Sequence, residues 1–400
     1  MKNVLILTYW SYKDALIQTY TLPYVRYINK YLSSKSKVYL LTIENPFYKM
    51  SDNEWAKEKT KLEQENIILL RFKYSNFGYK MILRFSYIFL SLIKLIFTRN
   101  ITHLHGWGMP GGAIGYILSI ITGKTLIIDS YEPHAEPSVE NGDWNTNSKA
   151  FKILFWLEKK MSKRTQTVIA LTQGMRNYAK EKYNTTFQNY YIKPSLVDLN
   201  KFSFEQIGDK PNKYREHIVG LYAGKFGGIY LEKEVFDLFK VAYNYWGEKL
   251  KILILSNTPK EEILEFANRV EIPNHIFEVL FVNYSEIEQY FKLADFAINP
   301  VKPVPSKRFC TSIKDGEYWA MGLPVIITKN ISDDSDIIEN EDIGYVLKEL
   351  NNQEYLNAIE KIDNLIKKDR HLLRVKIRDI AIKYRSFTIA EKVYKDIYKE

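Results

Sequence analysis

The sequence predicts an α/β protein with two Rossmann-like, doubly wound domains that face a central cleft. The first observation is the length, because 400 residues are too many for one ordinary hydrophobic core and suit two domains of about 150 to 200 residues each. The second is a repeated alternation of short apolar runs with helical patterns. The third is that these runs are continuously apolar, as in parallel-sheet strands that are buried on both faces.

The alternation occurs twice along the chain. In the first series, runs such as NVLILTY, VYLLTI, TLIIDSY and TVIALT alternate with helical segments. A polar segment that contains Pro211 separates this series from a second one, which begins at IVGLYAGKFGG and continues to LPVIIT. We therefore expect a first domain at 1–200, a linker at 201–216, a second domain at 217–382 and a helix at 383–400 that returns to the first domain.

The charge of the chain indicates an anionic partner. The sequence has 57 Lys and Arg against 47 Asp and Glu, a formal net charge of +10, and such a protein is expected to meet nucleic acid, a membrane surface or phosphorylated substrates. The excess is local, because no acidic residue stands between Glu65 and Asp129, whereas seven Lys and Arg do.

The segment MILRFSYIFLSLIKLIF at 81–97 lies inside this basic window. It is long enough for a membrane span but contains Arg84 and Lys94. We predict an amphipathic helix that lies on an anionic leaflet, with residues 74–99 as the contact, because each nearby Lys or Arg adds roughly 1 kcal/mol of attraction. A buried helix with two snorkelling cations is the alternative. Nucleic-acid binding is not expected, since the basic residues are threaded through an aliphatic helix.

The start of the chain and its cysteine content predict a location. MKNVLILTYW enters a strand pattern without a signal-peptide cleavage site, and the sole cysteine, Cys310, has no intramolecular disulfide partner. We expect a cytoplasmic protein that is peripheral on the inner face of the cell membrane.

The stretch CTSIKDGEYWAMGLPVI at 310–326 is the most informative part of the sequence. A turn of small residues precedes a helix there, and the free amide groups and dipole at the start of such a helix can receive a phosphate. Lys314 can neutralise a diphosphate, while Glu317, one turn later, can accept two hydrogen bonds from ribose hydroxyls. An ordinary surface pair of Lys and Glu is the alternative interpretation.

A second candidate for phosphate binding is YAGKFGGIY at 222–230. Gly224, Gly227 and Gly228 allow the backbone to approach a pyrophosphate closely, and Lys225 adds a point charge. The spacing matches neither GxGxxG nor a P-loop. A phosphate loop of another kind and a simple tight turn both remain open.

In the first domain, the loops HLHGWGMPGG and DSYEPHAEP each follow a strand, at the end where open α/β sheets bind ligands. Trp107 offers an apolar face for a sugar, while His105, Glu132 and His134 offer hydrogen bonds to its hydroxyls. A purely structural histidine is the alternative at either histidine position.

A metal site is not expected, because the sequence has one Cys, six His and no HExxH spacing. Asp334, Ser335 and Asp336 spell the DxD pattern of metal-dependent transferases of another fold, but we interpret this run as a solvated loop with a helix N-cap. A hydrolase is not expected either, because no GxSxG motif occurs.

Together these motifs resemble glycosyltransferase family 4, the group 1 transferases of the GT-B fold. GEYWAMGLPVI is similar to the family's E-A-M-A-x-G-x-P-V signature, with Glu317 seven residues before Pro324. Further landmarks occur in order at Gly224–Lys225, KLADFAINP and PSLVDLNKF. The segments DALIQTYTLPYVRYINKYL and DSYEPHAE resemble a bacterial branch that builds surface polysaccharides.

The resemblance implies retaining transfer of a sugar from a nucleotide-diphospho-sugar to a glycan or lipid-linked acceptor, with no tightly bound cofactor or metal. Glu317 is expected to bind the ribose. The diphosphate is expected to be held by Lys225, Lys314 and the amides of Thr311 and Ser312. The resemblance further places His134, or else His105, nearest the transferred sugar or the acceptor hydroxyl, and Glu132 is the third candidate catalytic residue.

The sequence also departs from the family pattern. Phe309 stands where the first glutamate of the family's E-x7-E pattern belongs, and Tyr230 stands near the place of a second basic residue, for which Lys233 is the nearest candidate. TYWSYKD replaces the glycine pair that often follows the first strand. Two other functions therefore stay open, a GT-B-like sugar-nucleotide epimerase and a catalytically degenerate scaffold at the membrane surface.

Overall fold

The structure, a computed structural model, describes residues 2–14, 16–48, 50–74, 78–204 and 210–399, with Lys80 described by its backbone alone. The chain separates into two compact units, Met1–Lys193 with Thr388–Glu400 and Pro194–Phe387. Residues 75–77 of the predicted membrane segment and 205–209 of the predicted linker lie outside the described residues. The domain limits expected from the sequence stay predictions beside these unit limits.

The first unit contains a parallel sheet of seven strands in its described residues. Its strands are β1 Asn3–Leu7, β2 Val38–Glu44, β3 Ile67–Lys73, β4 Ile101–Trp107, β5 Thr125–Tyr131, β6 Thr167–Ala170 and β7 Asn189–Ile192. Its helices up to β7 are α1 Leu22–Tyr31, α2 Asp52–Gln64, α3 Tyr79–Thr98, α4 Gly108–Thr122, α5 Ala135–Glu140, α6 Lys149–Arg164 and α7 Met175–Tyr183, and a π-helical segment, Leu16–Thr21, precedes α1.

The strand order of this sheet is β3-β2-β1-β4-β5-β6-β7, so the chain winds outward from β1 to β3, crosses back to β4 and winds outward again. Because crossovers between parallel strands are right-handed, the two directions place their helices on opposite faces. α1 and α2 cover one face, and α3, α4, α6 and α7 cover the other. The side chains of β1 are completely buried between these layers, which explains its continuous apolar run.

The second unit repeats this plan with six parallel strands in its described residues. Its strands are β8 Ile218–Ala223, β9 Leu250–Leu255, β10 Phe277–Leu280, β11 Phe296–Asn299, β12 Val325–Thr328 and β13 Gly344–Leu347, in the order β10-β9-β8-β11-β12-β13. Its helices are α8 Asn212–Arg215, α9 Lys233–Trp246, α10 Lys260–Arg269, α11 Ile287–Phe291, α12 Ile313–Ala320, α13 Asp334–Glu341, α14 Asn352–Ile366 and α15 Arg370–Arg385. The predicted fold class of two doubly wound, parallel α/β units is confirmed.

The last helix, α16 Phe387–Tyr398, closes a buried polar cluster in the first unit. At its centre the Asp129 carboxylate accepts a hydrogen bond from the Tyr394 hydroxyl at 2.6 Å and lies 3.2 Å from the Lys193 ammonium group. His105 contacts the same carboxylate at 3.2 Å and the Tyr398 hydroxyl at 2.7 Å. Burial opposes ionisation of Asp129, but Lys193 and these hydrogen bonds outweigh it and lower its pKa to about 2. The cluster fixes α16 against β4 and β5.

We predict that Asp129→Asn lowers the free energy of unfolding by about 3 to 5 kcal/mol, because it leaves the buried Lys193 charge without its counter-ion. Urea unfolding followed by circular dichroism measures the loss. Glu265→Gln, which breaks an exposed ion pair with Arg269, is the control and should change little. The prediction fails if Asp129→Asn is as stable as that control, or if Lys193→Met added to Asp129→Asn recovers none of the loss.

Candidate functional site

The second unit has a pocket of about 290 Å³ at the amino-terminal end of α12. Its lining includes Tyr230, Lys307 and Cys310, and it also includes three residues predicted to hold a diphosphate, Thr311, Ser312 and Lys314. The turn before α12 is extended at Ser312, with φ −86° and ψ 124°. The first amide groups of a helix have no intrahelical acceptor, so α12 directs free N–H groups and the positive end of its dipole towards this pocket.

Lys307 and Lys314 are the charged residues of the pocket lining, and Lys314 is the one predicted to hold a diphosphate. Its ammonium group is buried without a hydrogen-bond partner among the described residues, and it lies 3.9 Å from the centre of the Tyr230 ring. Burial lowers the pKa of Lys314 to about 8. Burying a cation without a counter-ion costs free energy. Because Lys314 is already desolvated, an anion that enters this pocket can pair with it without that cost.

The glycine loop after β8 makes room for this cation. Gly224 has a φ of 153°, which residues with a side chain rarely adopt, and a Cβ atom there would lie 2.4 Å from the Lys314 ammonium nitrogen, which would have to move. Gly227 and Gly228 have φ values of 75° and 61°, which glycine adopts without strain. Lys225 is exposed, and its charge contributes to the lowered pKa of Lys314. The structure therefore brings the predicted loop and the predicted helix together around Lys314.

Glu317 lies one turn further along α12 and is 4% exposed. Burial raises its pKa to about 7, against the opposing effects of Tyr284, Lys201 and Lys314. The Tyr284 hydroxyl donates a hydrogen bond to one carboxylate oxygen at 2.8 Å, and the Lys201 ammonium group stands 3.5 Å from the centre of the Tyr284 ring. A partner thus already occupies one of the two oxygens predicted to bind a ribose.

A buried cluster beneath α12 holds the helix in place. Asn299 donates to both carboxylate oxygens of Asp315 at 2.9 and 2.8 Å, and the Arg385 guanidinium pairs with Asp334. Burial, together with the adjacent Asp334, raises the pKa of Asp315 well above its usual range. The raised pKa favours the neutral form of Asp315, and the Arg385 guanidinium is the ion partner of Asp334.

This cluster corrects the interpretation of the DxD run as a solvated loop. Asp334 and Ser335 are buried in the first turn of α13, Asp336 pairs with Arg308 at 2.5 Å, and Asp333 at the N-cap makes no side-chain capping bond. The polar composition of ISDDSDIIENED suggests exposure. The burial of Asp334 could not be predicted, because its ion partner, Arg385, is distant in sequence. Among the described residues, no group of three or more His, Cys, Asp or Glu is arranged to hold a metal ion.

In the first unit, the loop after β5 brings Glu132 and His134 together. The His134 ring nitrogen lies 3.9 Å from the Glu132 carboxylate, and both side chains are partly exposed. Beneath them, buried Glu158 accepts the backbone amides of His134 and Ala135 at 2.7 and 3.1 Å. The His134 Nδ1 atom also lies 3.1 Å from the Glu132 carbonyl oxygen, so Nε2, beside the Glu132 carboxylate, is the ring nitrogen that a ligand can use.

His105 lies elsewhere in the same unit. Its ring is fully buried, both of its nitrogens are engaged by Asp129 and Tyr398, and it stacks on Trp107 at 5.6 Å. Trp107 is buried too, at 1% exposure. The geometry gives both rings a part in the cluster under α16, and their predicted contact with a sugar stays a prediction.

Sequence reasoning missed Tyr284 and Lys201. Tyr284 follows β10, so the rule that ligands bind beyond the carboxyl ends of strands points to its loop. Nothing in the spacing connects it to Glu317, which is 33 positions away. Lys201 falls in the segment that was assigned to the linker.

Comparison with known proteins supports the assignment of the second unit. Residues 219–364 match the family model described as "Glycosyl transferases group 1". A search of curated proteins found no match to the sequence. The matched segment includes Gly224, Lys225, Lys314, Glu317 and the carboxylates beneath α12.

Solved structures show the fold of the whole chain. A glycosyltransferase from Rickettsia africae is 13% identical with a TM-score of 0.68, over 100% of this chain and 98% of that one. Anabaena Alr3699/HepE in complex with UDP is 13% identical with a TM-score of 0.70, over 99% of each chain. WaaG, a glycosyltransferase involved in lipopolysaccharide biosynthesis, is 11% identical with a TM-score of 0.66, over 99% of each chain. The chain has the GT-B fold, and with its group 1 domain it is a glycosyltransferase.

We predict a bell-shaped pH dependence for the binding of a sugar nucleotide. Affinity should fall as the pH drops below about 7, because the Glu317 carboxylate becomes protonated and loses its acceptor role, and as the pH rises above about 8, because Lys314 loses its charge. Each limb should approach a tenfold change per pH unit. Calorimetry with a sugar nucleotide, whose diphosphate diester does not titrate in this range, measures the profile.

The two limbs have separate controls. Glu317→Gln should flatten the acid limb alone, and Lys314→Met should flatten the alkaline limb alone. An affinity that stays constant from about pH 6 to about pH 9 in the wild type would show that neither group contacts the nucleotide.

We further predict that Tyr284→Phe moves the acid limb to higher pH and weakens binding about 7- to 80-fold near pH 7. The lost hydrogen bond stabilises the Glu317 carboxylate, and bonds to charged groups contribute about 1.5 to 3 kcal/mol. Tyr243→Phe removes a similar tyrosine–glutamate bond, to Glu248, on α9 of the same unit and should leave the profile unchanged. If the midpoint of the acid limb is unchanged in Tyr284→Phe, the Tyr284 hydroxyl does not stabilise the Glu317 carboxylate and the prediction is wrong.

Proposed function

We propose that the protein is a retaining hexosyltransferase that moves a sugar from a nucleotide-diphospho-sugar to a glycan or lipid-linked acceptor in cell-surface polysaccharide biosynthesis. The observation that carries this proposal is the buried, unpartnered ammonium group of Lys314 at the pocket before α12, with the Glu317 carboxylate one turn away. A cation and a helix start suit a diphosphate, and a carboxylate suits a ribose diol.

The donor half of the reaction follows from these groups. As the sugar departs, negative charge develops on the leaving diphosphate, and preorganised donors that face this charge lower the barrier. Lys314 and the amides of Thr311 and Ser312 supply such donors, and exposed Lys225 closes on the diphosphate from the glycine loop. Glu317, supported by Tyr284, orients the nucleoside. No protein nucleophile is assigned.

Structural relatives support a uridine nucleotide as the donor. Anabaena Alr3699/HepE has been solved with UDP and with UDP-glucose, each at 99% coverage of this chain. We therefore propose a UDP-hexose as the first donor to test. The identity of the base depends on this fold-level likeness, so the donor series must include other bases.

For the acceptor half, we propose that His134 and Glu132 act at the acceptor hydroxyl or at the transferred sugar. Their side chains are partly exposed and 3.9 Å apart, which suits shared hydrogen bonding and proton movement. We also propose a cytoplasmic enzyme on the inner face of the membrane, where a lipid-linked acceptor is met, with residues 74–99 in contact with anionic lipid.

The test is a transfer assay with a series of sugar nucleotides and a polyprenyl-diphosphate-linked sugar acceptor. We expect release of a nucleoside diphosphate from one donor, and a loss of about 10²- to 10³-fold in kcat/KM for Lys314→Ala and Glu317→Gln. Lys260→Ala and Glu261→Gln, exposed on α10 of the same unit, are the matched controls. The anomeric configuration of the product decides whether transfer is retaining.

Two outcomes would redirect the proposal. Isomerisation of the donor sugar without any acceptor would indicate the epimerase. Binding of no nucleotide by a folded protein would indicate the degenerate scaffold, which the Phe309 substitution first suggested.

A further inference from the structure

Three neighbouring helices of the first unit carry an exposed apolar surface. α3, α4 and α6 cover the same face of the sheet, and α4 packs between α3 and α6. We call this surface the three-helix face. By length and composition alone, Met81–Thr98 of α3 is able to cross a membrane, but only the stripe Ile88, Leu92 and Ile96 is buried within the unit.

Many other apolar side chains of these helices are exposed. Leu90 on α3 is 68% exposed, Ile120 on α4 is 57% exposed and Trp156 on α6 is 54% exposed. The other members of the set are at least two-fifths exposed, and they are Tyr79, Ile82, Leu83, Tyr87, Phe97, Ile117, Ile121 and Ile153. A set of exposed apolar side chains on three neighbouring helices indicates an interaction site.

The charges on the three-helix face all have one sign. The only acidic residue in α3, α4 and α6 is Glu158, which is buried under the loop at His134. The exposed stripe of α6 alternates its two large apolar residues with cations, and it consists of Lys149, Lys152, Ile153, Trp156, Lys160 and Lys163. Lys160 also stands 5.9 Å from the centre of the Trp156 ring.

This pattern selects one occupant. A second copy of the same face would bring cations against cations, which opposes pairing. Nucleic acid would be attracted by the cations, but it offers nothing to bury Leu90, Ile120 and Ile153. An anionic bilayer satisfies both features, because acyl chains take up the apolar side chains while headgroups pair with lysines, and tryptophan favours the boundary between them.

We infer that the whole three-helix face lies on an anionic membrane, with α4 and α6 in contact with lipid as well as α3. Ile153 and Trp156 enter the interface, and the lysines of α6 remain at headgroup level. This inference extends the membrane contact proposed above for residues 74–99 to two helices outside that segment. It concerns binding alone, so it stands or falls separately from the transfer reaction.

The experiment is co-sedimentation of the full-length protein with vesicles of phosphatidylcholine alone and of phosphatidylcholine with phosphatidylglycerol. We expect binding to the anionic vesicles only. Two α6 variants, Ile153→Gln/Trp156→Ala and Lys152→Glu/Lys160→Glu, and the α4 variant Ile117→Gln/Ile120→Gln should each lower the partition coefficient at least tenfold. Circular dichroism confirms that each variant is folded. So does the release of nucleoside diphosphate when a water-soluble acceptor is supplied.

Matched controls change equally exposed residues elsewhere. Leu372→Gln alters an apolar side chain that is 67% exposed on α15 of the second unit. Lys57→Glu/Lys61→Glu alters two exposed cations on α2, on the opposite face of the first sheet. Both controls should bind vesicles as the wild type does, apart from a small change that follows the net charge.

The possible results discriminate between the alternatives. If Leu90→Gln/Lys94→Glu on α3 abolishes binding while the α4 and α6 variants bind normally, the contact is one helix and the inference is wrong. It is also wrong if the wild type sediments with neither vesicle, if it prefers RNA to anionic vesicles, or if the face instead mediates dimers that the α6 variants dissociate. Vesicle binding without any sugar transfer would support this inference while removing the proposed function.

Discussion

The buried charge of Lys314 is the constraint on which the donor site depends. Burying an ammonium group costs free energy unless an anion pairs with it. The Lys314 site therefore requires fixed surroundings and an anionic ligand. The surroundings of Lys314 are fixed from below α12, where Asp315, Asp334 and Arg385 form a buried cluster. Gly224 then leaves the space that the Lys314 side chain fills. The pocket before α12 is thus shaped by buried polar groups that lie beneath the helix.

Burial affects the Glu317 carboxylate as it affects the Lys314 ammonium group, by favouring the neutral form. Burial makes the Glu317 carboxylate a strong acceptor when ionised but also pushes it towards the neutral form near pH 7. Tyr284 and Lys201 counteract this effect from a part of the chain that is remote in sequence. The Glu317 carboxylate therefore depends on the loop after β10, which carries Tyr284, as well as on α12.

The fold was predictable because strands buried on both faces are continuously apolar, and both sheets follow from that signal. The site was predictable where its residues are adjacent in sequence, as Thr311, Ser312 and Lys314 are. It was not predictable where partners meet through the fold. The spacing does not show that Arg385 neutralises Asp334, and the DxD run was therefore wrongly interpreted as solvated. His105 lies within β4 and Glu132 directly follows β5, and the fold buries the first and leaves the second partly exposed.

An apolar helix is also difficult to interpret from sequence, because its apolar residues can either pack in the core or contact a membrane. Burial in the structure distinguishes the two. α3 is apolar almost all round, which fits both a core helix and a membrane helix. α6 has an unremarkable mixture of lysines and apolar residues, and its sequence alone predicts only an amphipathic helix on a sheet. Burial shows that the inner side of α6 accounts for Met161 and Glu158, whereas Ile153 and Trp156 remain outside among lysines. The exposed Ile153 and Trp156 of α6 are not part of the core, and they stand beside exposed lysines. An anionic membrane would provide acyl chains for the first and headgroups for the second.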